Sequence, residues 1–242
     1  MTAPLAGVLI DLDNTLFHWT PCDQVARVAV HQKLRQDVDI SFETFMALHD
    51  EARLHFKSSL KNQAASHNRA LFFKWVVNSM HGEKKLNRTP NSTPDLIVEM
   101  YDLYWHTFFQ AMQPQTDAID VLKKVSEHHP IALVTNHTTD VQLRKVSKLG
   151  FAPYLQTIVT SEEIGVEKPD AKIFGEALRR LDIEADQAVM IGDHPTGDIA
   201  GAHQLGIRTI HTREFDQREA PKGTADHVIQ QLADVLPILE IG

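Results

Sequence analysis

The feature that most constrains the fold is an alternation of short apolar runs and helical stretches after residue 112. Four apolar runs have the length of strands: 131–135, 157–160, 188–192 and 207–212. Four stretches with helical periodicity accompany them: 116–128, 139–149, 170–181 and 197–205. Strands and helices in alternation are typical of right-handed crossovers, which build a parallel sheet with helices on both faces. The sequence therefore predicts a doubly wound α/β core.

A further strand is predicted in residues 7–13, where apolar residues stand nearly in a row and two aspartates follow. Residues 18–112 are different, because their apolar residues recur at helical spacing and strand-like runs are missing. A break at 81–94 is rich in Gly, Pro, Asn and Ser. We therefore expect the core to comprise 1–17 and 113–242, with the helical segment inserted between them as a separate bundle.

Composition excludes several classes of partner. The chain of 242 residues has 24 Lys and Arg against 32 Asp and Glu, a net charge of -8, so neither a nucleic acid nor an anionic membrane surface is expected to bind it. No window approaches the ~20 apolar residues that span a bilayer. The single Cys22 excludes an internal disulfide, and the first residues lack the pattern of a secretion signal. We expect a cytoplasmic protein.

Polar side chains stand where the predicted strands end, which is where parallel sheets bind their ligands. These residues are Asp11 and Asp13, Thr135 and Asn136, Ser161 with Lys168 downstream, and Asp193 and Asp198. Paired carboxylates at the end of a buried strand repel each other unless a cation or a shared proton relieves them. Oxygen ligands without a Cys or His cluster favour Mg²⁺ over Zn²⁺, and Mg²⁺ binds through few carboxylates together with a substrate phosphate. The sequence thus predicts a Mg²⁺ and phosphate site at this edge of the sheet.

Four motifs carry a resemblance to a known family. DLDNT at 11–15, VTN at 134–136, EKP at 167–169 and IGDHPTGD at 191–198 resemble, in order and spacing, the four motifs of the haloacid dehalogenase superfamily. The resemblance implies a Rossmann-like core with an α-helical cap formed by the insertion. The run at 159–174 is similar to the branch that contains bacterial nucleotide 5'-monophosphatases and flavin mononucleotide or sugar phosphate phosphatases.

The resemblance also implies a mechanism with an aspartyl-phosphate intermediate. Asp11 would be the nucleophile, and Asp13 would act as acid and base. The Mg²⁺ ligands would be Asp11, the backbone carbonyl of Asp13 and Asp193, with Asp198 acting through water or a hydrogen bond. The residues expected to hold the phosphoryl oxygens are Thr135, Asn136 and Lys168. His137 departs from the family pattern, because many relatives have Gly there, and this leaves open the contact to the leaving group.

We therefore expect a Mg²⁺-dependent phosphomonoester hydrolase that acts on small phosphorylated metabolites. Nucleoside 5'-monophosphates or flavin mononucleotide are the expected substrates, with Trp19 or an aromatic residue of the insertion available to stack on a flat ring. A sugar phosphate phosphatase or a phosphomutase is the alternative. A 2-haloacid dehalogenase is disfavoured by Asp13 and Asp193, because it needs no metal and generally lacks the second aspartate. A non-catalytic module is disfavoured because no motif residue has been lost.

Overall fold

The computed structural model describes residues 3–82 and 93–242. The chain divides into two compact units, one formed by Met1–Trp19 with Gln113–Gly242 and the other by Thr20–Met112. Most of the predicted break at 81–94 lies outside the described residues. The role of the second unit as a cap stays a prediction.

Helices make up most of the described part of the second unit. They are α1 (Trp19–Leu34), α2 (Phe42–Ser59), α3 (Arg69–Gly82) and α4 (Thr93–Ala111). An aromatic cluster on α4 packs in their core, with the Trp105 ring 5.0 Å from that of Tyr104 and 5.3 Å from that of Phe108. Trp105 is buried and is part of the core of this unit.

The first unit is built on a sheet of six parallel strands. They are β1 (Gly7–Ile10), β2 (Ile131–Thr135), β3 (Thr157–Thr160), β4 (Ala188–Gly192), β5 (Arg208–Thr212) and β6 (His227–Ile229). Their order across the sheet is β3-β2-β1-β4-β5-β6. Val8 of β1 pairs with Ile131 on one side and with Val189 on the other. Because β1, β2 and β4 are buried along their whole length, their sequences read as continuous apolar runs. The predicted doubly wound core is confirmed.

Helices accompany these strands along the chain. They are α5 (Ala118–His128), α6 (Thr139–Leu149), α7 (Ser161–Ile164), α8 (Ala171–Leu181), α9 (Gly201–His203) and α10 (Val235–Ile238). The predicted helix at 139–149 coincides with α6. At 197–205, where a helix was expected, a π-helical turn over Pro195–Ala200 leads into the short α9. No helix in the described ranges has both the length and the apolar character that a membrane crossing requires.

Candidate active site

Three aspartates converge where β1 and β4 end. Asp11 follows β1 directly, and its backbone N–H donates to the carbonyl of Ile191 in β4, 2.9 Å away. This bond continues the sheet by one residue and fixes the carboxylate beside Asp193, which follows β4. One carboxylate oxygen each from Asp11, Asp193 and Asp198 lies within 4.8 Å of the others, and all three residues are buried. The sequence prediction that these strand ends share one site is therefore consistent with the geometry.

Lys168 supplies a positive charge to this group. Its Nζ lies 2.5 Å from Oδ1 of Asp11 and 2.7 Å from Oδ1 of Asp198, and it donates to the Val134 carbonyl at 2.7 Å. Asn136 holds the backbone of the same residue, since its Oδ1 accepts from the Lys168 N–H at 2.8 Å and its Nδ2 donates to the Lys168 carbonyl at 3.3 Å. The Asn136 carboxamide thus braces the segment that presents the lysine.

Asp198 is held in place by both of its carboxylate oxygens. Its Oδ1 is paired with Lys168, and its Oδ2 accepts from the backbone N–H of His194 at 3.0 Å. The carboxylate packs directly on Gly192, where an added Cβ would lie 2.6 Å from Cγ of Asp198. Only glycine leaves room for this approach. Both oxygens of Asp198 therefore have partners among the described residues, and its indirect role at a metal stays a prediction.

Histidines stabilise the neighbouring backbone. The Nε2 of His211 donates to the carbonyl of Asp193 at 3.0 Å. The Nδ1 of His194 accepts from the backbone N–H of Gly197 at 2.8 Å and so caps the π-helical turn. Since that turn carries Asp198 back towards β4, His194 has a local structural role at the site.

Burial and crowding change the proton affinities of the aspartates. Burial raises the pKa of Asp11; the Lys168 ammonium opposes this effect, and the carboxylates of Asp198 and Asp13 add to it. Burial also raises the pKa of Asp193, reinforced by the charges of Asp11 and Asp198. For Lys168, burial favours the neutral amine, but the two adjacent carboxylates outweigh it and the pKa is raised. A single ammonium therefore leaves an excess of negative charge among these buried groups.

This charge excess and the donor set fit a divalent cation. The ligand atoms in this cluster are carboxylate oxygens, one each from Asp11, Asp193 and Asp198. Hard oxygen donors of this kind suit Mg²⁺ or a similar ion. A cation among the three carboxylates would oppose the effect of burial, because it favours their ionised forms. The described residues can therefore hold a divalent metal ion at this point.

Asp13 lies at the edge of the same site, and two residues that the sequence analysis missed hold it. Nζ of Lys145 lies 2.6 Å from Oδ1 of Asp13, and Nε2 of Gln142 donates to Oδ2 at 3.0 Å. The same Nε2 also donates to Oγ1 of Thr135 in a short hydrogen bond. Gln142 and Lys145 are fully buried polar residues on the otherwise apolar face of α6. That polar pair at three-residue spacing was the signal in the sequence.

The sequence analysis also named Ser161, Trp19 and Cys22. Ser161 begins α7, and its Oγ accepts from the backbone N–H of His137 at 3.0 Å. The backbone N–H of Trp19 donates to Oδ1 of Asn14 at 3.0 Å, and the Trp19 residue is half-buried. Cys22 is buried in α1. The roles of Ser161 at the strand end and of Trp19 in stacking stay predictions.

Comparison with protein families and known proteins gives consistent matches. Residues 8–212 match the family described as haloacid dehalogenase-like hydrolase. The chain is 34% identical, over 96% of its length and 98% of the relative's, to a ribulose-1,5-bisphosphate 5-phosphatase of Halopiger xanaduensis. It is 23% identical, over 93% of its length and 96% of the relative's, to the pyrimidine 5'-nucleotidase YjjG of Escherichia coli.

Among solved structures, a similar one is described as a 2-haloacid dehalogenase from Pseudomonas syringae pv. Tomato. It has a TM-score of 0.75 and 26% sequence identity, with 98% of each chain covered. The match covers nearly the whole chain and so includes β1 and β4, the strands that Asp11 and Asp193 follow.

Proposed function

Because the chain belongs to the haloacid dehalogenase-like hydrolases, we propose that it hydrolyses phosphomonoesters of small metabolites in a Mg²⁺-dependent reaction through a phosphorylated Asp11. The prediction of a phosphatase is confirmed at the level of the family, since relatives that align over nearly the whole chain are named as a phosphatase and as a 5'-nucleotidase. The observation that carries the proposed mechanism is the placement of Asp11, whose Oδ1 lies 2.5 Å from Lys168 and whose carboxylate lies in the cluster with Asp193 and Asp198.

The proposed metal ligands are the carboxylates of Asp11 and Asp193 and the backbone carbonyl of Asp13. Bound Mg²⁺ would neutralise the phosphoryl group and orient it for in-line displacement. Lys168 adds a fixed cation on the protein side. An anionic nucleophile can approach an anionic phosphate only where such charges offset the repulsion, and electrostatic stabilisation of this kind is usually the largest catalytic contribution.

In the proposed first step, a carboxylate oxygen of Asp11 forms a bond to phosphorus. The bond from phosphorus to the ester oxygen breaks, its electron pair stays on that oxygen, and Asp13 donates a proton to it. In the second step, Asp13 takes a proton from water, whose oxygen attacks the phosphorus and releases Asp11. General acid and base catalysis of this kind contributes about 10²- to 10⁴-fold in rate. We assign Thr135, Asn136 and Lys168 to the phosphoryl oxygens, with the Asn136 side chain also bracing Lys168.

The leaving group is the finer part of the proposal. Nucleoside 5'-monophosphates or flavin mononucleotide remain the predicted substrates, and the similarity to a pyrimidine 5'-nucleotidase supports them. The sugar phosphate alternative is supported by the higher identity to a phosphatase named for ribulose-1,5-bisphosphate. Both classes present an alkyl ester of phosphate to the same core residues, so the mechanism does not depend on the choice.

A panel experiment tests the proposal. Release of inorganic phosphate is measured with nucleoside monophosphates, flavin mononucleotide, sugar mono- and bisphosphates and p-nitrophenyl phosphate, each with Mg²⁺ and with a chelator. We expect Mg²⁺-dependent release that is lost in Asp11→Asn and kept in Asp140→Asn, an exposed aspartate on α6. Specificity constants at least about tenfold higher for sugar phosphates than for every nucleotide and flavin would establish the alternative leaving group.

Adding a 2-haloacid to this panel tests a second activity, which the similar dehalogenase structure suggests. Halide release from a 2-haloacid, unaffected by chelator, together with no release of phosphate from any ester, would overturn the proposed function. The buried carboxylate cluster argues against that outcome, since a metal-independent reaction has no use for the excess negative charge around Asp193.

A further inference from the structure

Two buried residues on helix α6, Gln142 and Lys145, contact the carboxylate of Asp13. Lys145 Nζ lies 2.6 Å from one carboxylate oxygen, and Gln142 Nε2 lies 3.0 Å from the other. The two donors stand three residues apart on one face of the helix, so they reach Asp13 side by side. Each oxygen of the carboxylate thus has its own donor, and rotation of the side chain is restricted in both of its torsions.

The burial of Lys145 makes this arrangement unusual as a stabilising device. Its side chain is 0% exposed, whereas that of Asp13 is 24% exposed. Removing an ammonium group from water is unfavourable, and an ion pair compensates for the lost hydration only with good geometry and further interactions. An apolar side chain of similar length would fill the same space without that cost. The Nζ also lies 5.7 Å from the centre of the buried Phe17 ring, which fixes it further.

Gln142 connects two parts of the site. Its Nε2 donates both to Asp13, on the loop after β1, and to Thr135, at the end of β2. Its Oε1 is buried and has no hydrogen-bond partner in the part of the chain that the structure describes. Because the Oε1 end of the Gln142 carboxamide makes no hydrogen bond within the described residues, the two bonds of Nε2 determine how the group is oriented.

We propose that Lys145 and Gln142 are positioning residues, which hold the Asp13 carboxyl group in the orientation from which it exchanges a proton with the leaving group. This inference rests on the proposed function and deepens it. Lys145 contacts Asp13, whereas Gln142 contacts both Asp13 and Thr135. Loss of Lys145 should therefore affect the proton transfer, and loss of Gln142 should affect proton transfer and phosphate binding together.

The dependence on the leaving group separates these roles from a general structural one. An alkyl phosphate expels an alkoxide, which needs a proton as the ester bond breaks, whereas p-nitrophenyl phosphate expels a stabilised phenolate that leaves without one. The specificity constant kcat/KM reports the steps up to transfer of the phosphoryl group. A fault in proton donation therefore lowers kcat/KM for the alkyl ester and spares the aryl ester.

The experiment measures kcat/KM of the full chain with Mg²⁺ for p-nitrophenyl phosphate and for the best alkyl phosphate of the panel. For Lys145→Met we expect a fall of about 30-fold or more with the alkyl ester and less than about threefold with the aryl ester. Lys145→Arg, which keeps a cationic donor, should recover part of the alkyl activity. For Gln142→Met the KM of both esters should rise as well. Lys148→Met, on the exposed face of the same helix, is the matched control and should match the parent.

Equal losses for both esters in Lys145→Met, or no loss for either, would overturn the inference and leave the phosphatase assignment standing. If Lys145→Met does not fold, as judged by its thermal transition, Lys145→Gln carries the same comparison with a shorter uncharged donor. If the parent releases phosphate from neither ester, the proposed function itself fails, and the inference fails with it. If the parent is active and Asp11→Asn keeps that activity, the assignment of Asp11 as the nucleophile is wrong.

Discussion

The ammonium of Lys168 lies 2.5 Å from Oδ1 of Asp11, although 157 positions separate the two residues along the chain. The lysine touches Asp198 as well, at 2.7 Å, so one cation serves two buried carboxylates. This pairing connects the stability of the site to its chemistry. The Lys168 ammonium stabilises the two buried carboxylates, and it also lies beside Asp11, the proposed nucleophile.

Lys168→Met should therefore lower both activity and stability. We expect kcat/KM to fall by about 10²- to 10³-fold, since a fixed charge at the transferring group is lost. The melting temperature without Mg²⁺ should also fall, because removing one partner of a buried ion pair typically costs about 3–5 kcal/mol. Steady-state kinetics and thermal unfolding measure the two effects. Lys172→Met, an exposed change at the start of α8, is the control, and an unchanged kcat would show that Lys168 only anchors its loop.

Asp11→Asn should abolish turnover while the fold survives, because an amide is a poor nucleophile of nearly the same shape. Rapid acid quenching of a reaction with labelled substrate should trap a phosphorylated parent and no phosphorylated variant. The exposed change Asp140→Asn should behave as the parent in both assays. Residual activity above about one per cent of the parent, a loss of less than about 2.7 kcal/mol in transition-state stabilisation, would contradict the assignment of the nucleophile.

The metal-free protein should lose stability as the pH rises. Burial raises the folded-state pKa of Asp11 and Asp193 above the usual carboxyl value of about 4. A group whose pKa is raised on folding stabilises the fold at low pH, and this stabilisation is lost as the pH rises through the folded-state pKa. Melting temperatures in chelator should therefore decline from about pH 4 upwards, until the pH has passed the folded-state pKa of Asp11, about 7, and that of Asp193, about 9.

Added Mg²⁺ should reverse this decline, with a larger shift in melting temperature at higher pH, since the ion binds the ionised carboxylates. Asp193→Asn should flatten the pH dependence in chelator, and Asp140→Asn should not. A decline of equal steepness in Asp193→Asn and in the parent would contradict the placement of the charge excess at this cluster.

Mg²⁺ should be required for turnover and Ca²⁺ should inhibit. Ca²⁺ takes more ligands at longer distances than Mg²⁺, so it would occupy the carboxylates of Asp11 and Asp193 with the wrong geometry for in-line attack. Phosphate release from p-nitrophenyl phosphate at fixed Mg²⁺ and increasing Ca²⁺ measures this competition. Full activity in Ca²⁺ alone would contradict the proposed geometry.

Sequence patterns were sufficient for the parts of the fold that are buried on both faces. The strands at 131–135 and 188–192 have the predicted bounds and are buried along their whole length, as their apolar runs predict. The edge strand at 157–160 also has the predicted bounds, although Thr157 and Ile158 are only half-buried. The site residues could be selected because they follow such strands. In contrast, β6 has three residues, of which His227 and Val228 are exposed, and it shows no periodicity that a sequence could display.

Contacts between distant side chains could not be predicted in this way. Lys145 stands 132 positions from Asp13, and helical periodicity places it on the buried face of α6 without indicating its partner. The π-helical turn before α9 is capped by the side chain of His194, which accepts a hydrogen bond from the Gly197 backbone. A single local bond of this kind changes the form of a helix, and composition does not reveal it.

The central position of β1 has a consequence for how the chain folds during synthesis. Both strands that pair with it, β2 (Ile131–Thr135) and β4 (Ala188–Gly192), lie more than a hundred positions downstream. The apolar strand β1 is synthesised before either of its partners, so both of its edges stay unpaired until β2 and β4 have been made. Unpaired strand edges are the places where strands associate wrongly. Long loops are slow to close. The pairing of β1 with β2 is therefore faster if Thr20–Met112 becomes compact before β2 is synthesised, because this shortens the effective loop between the two strands.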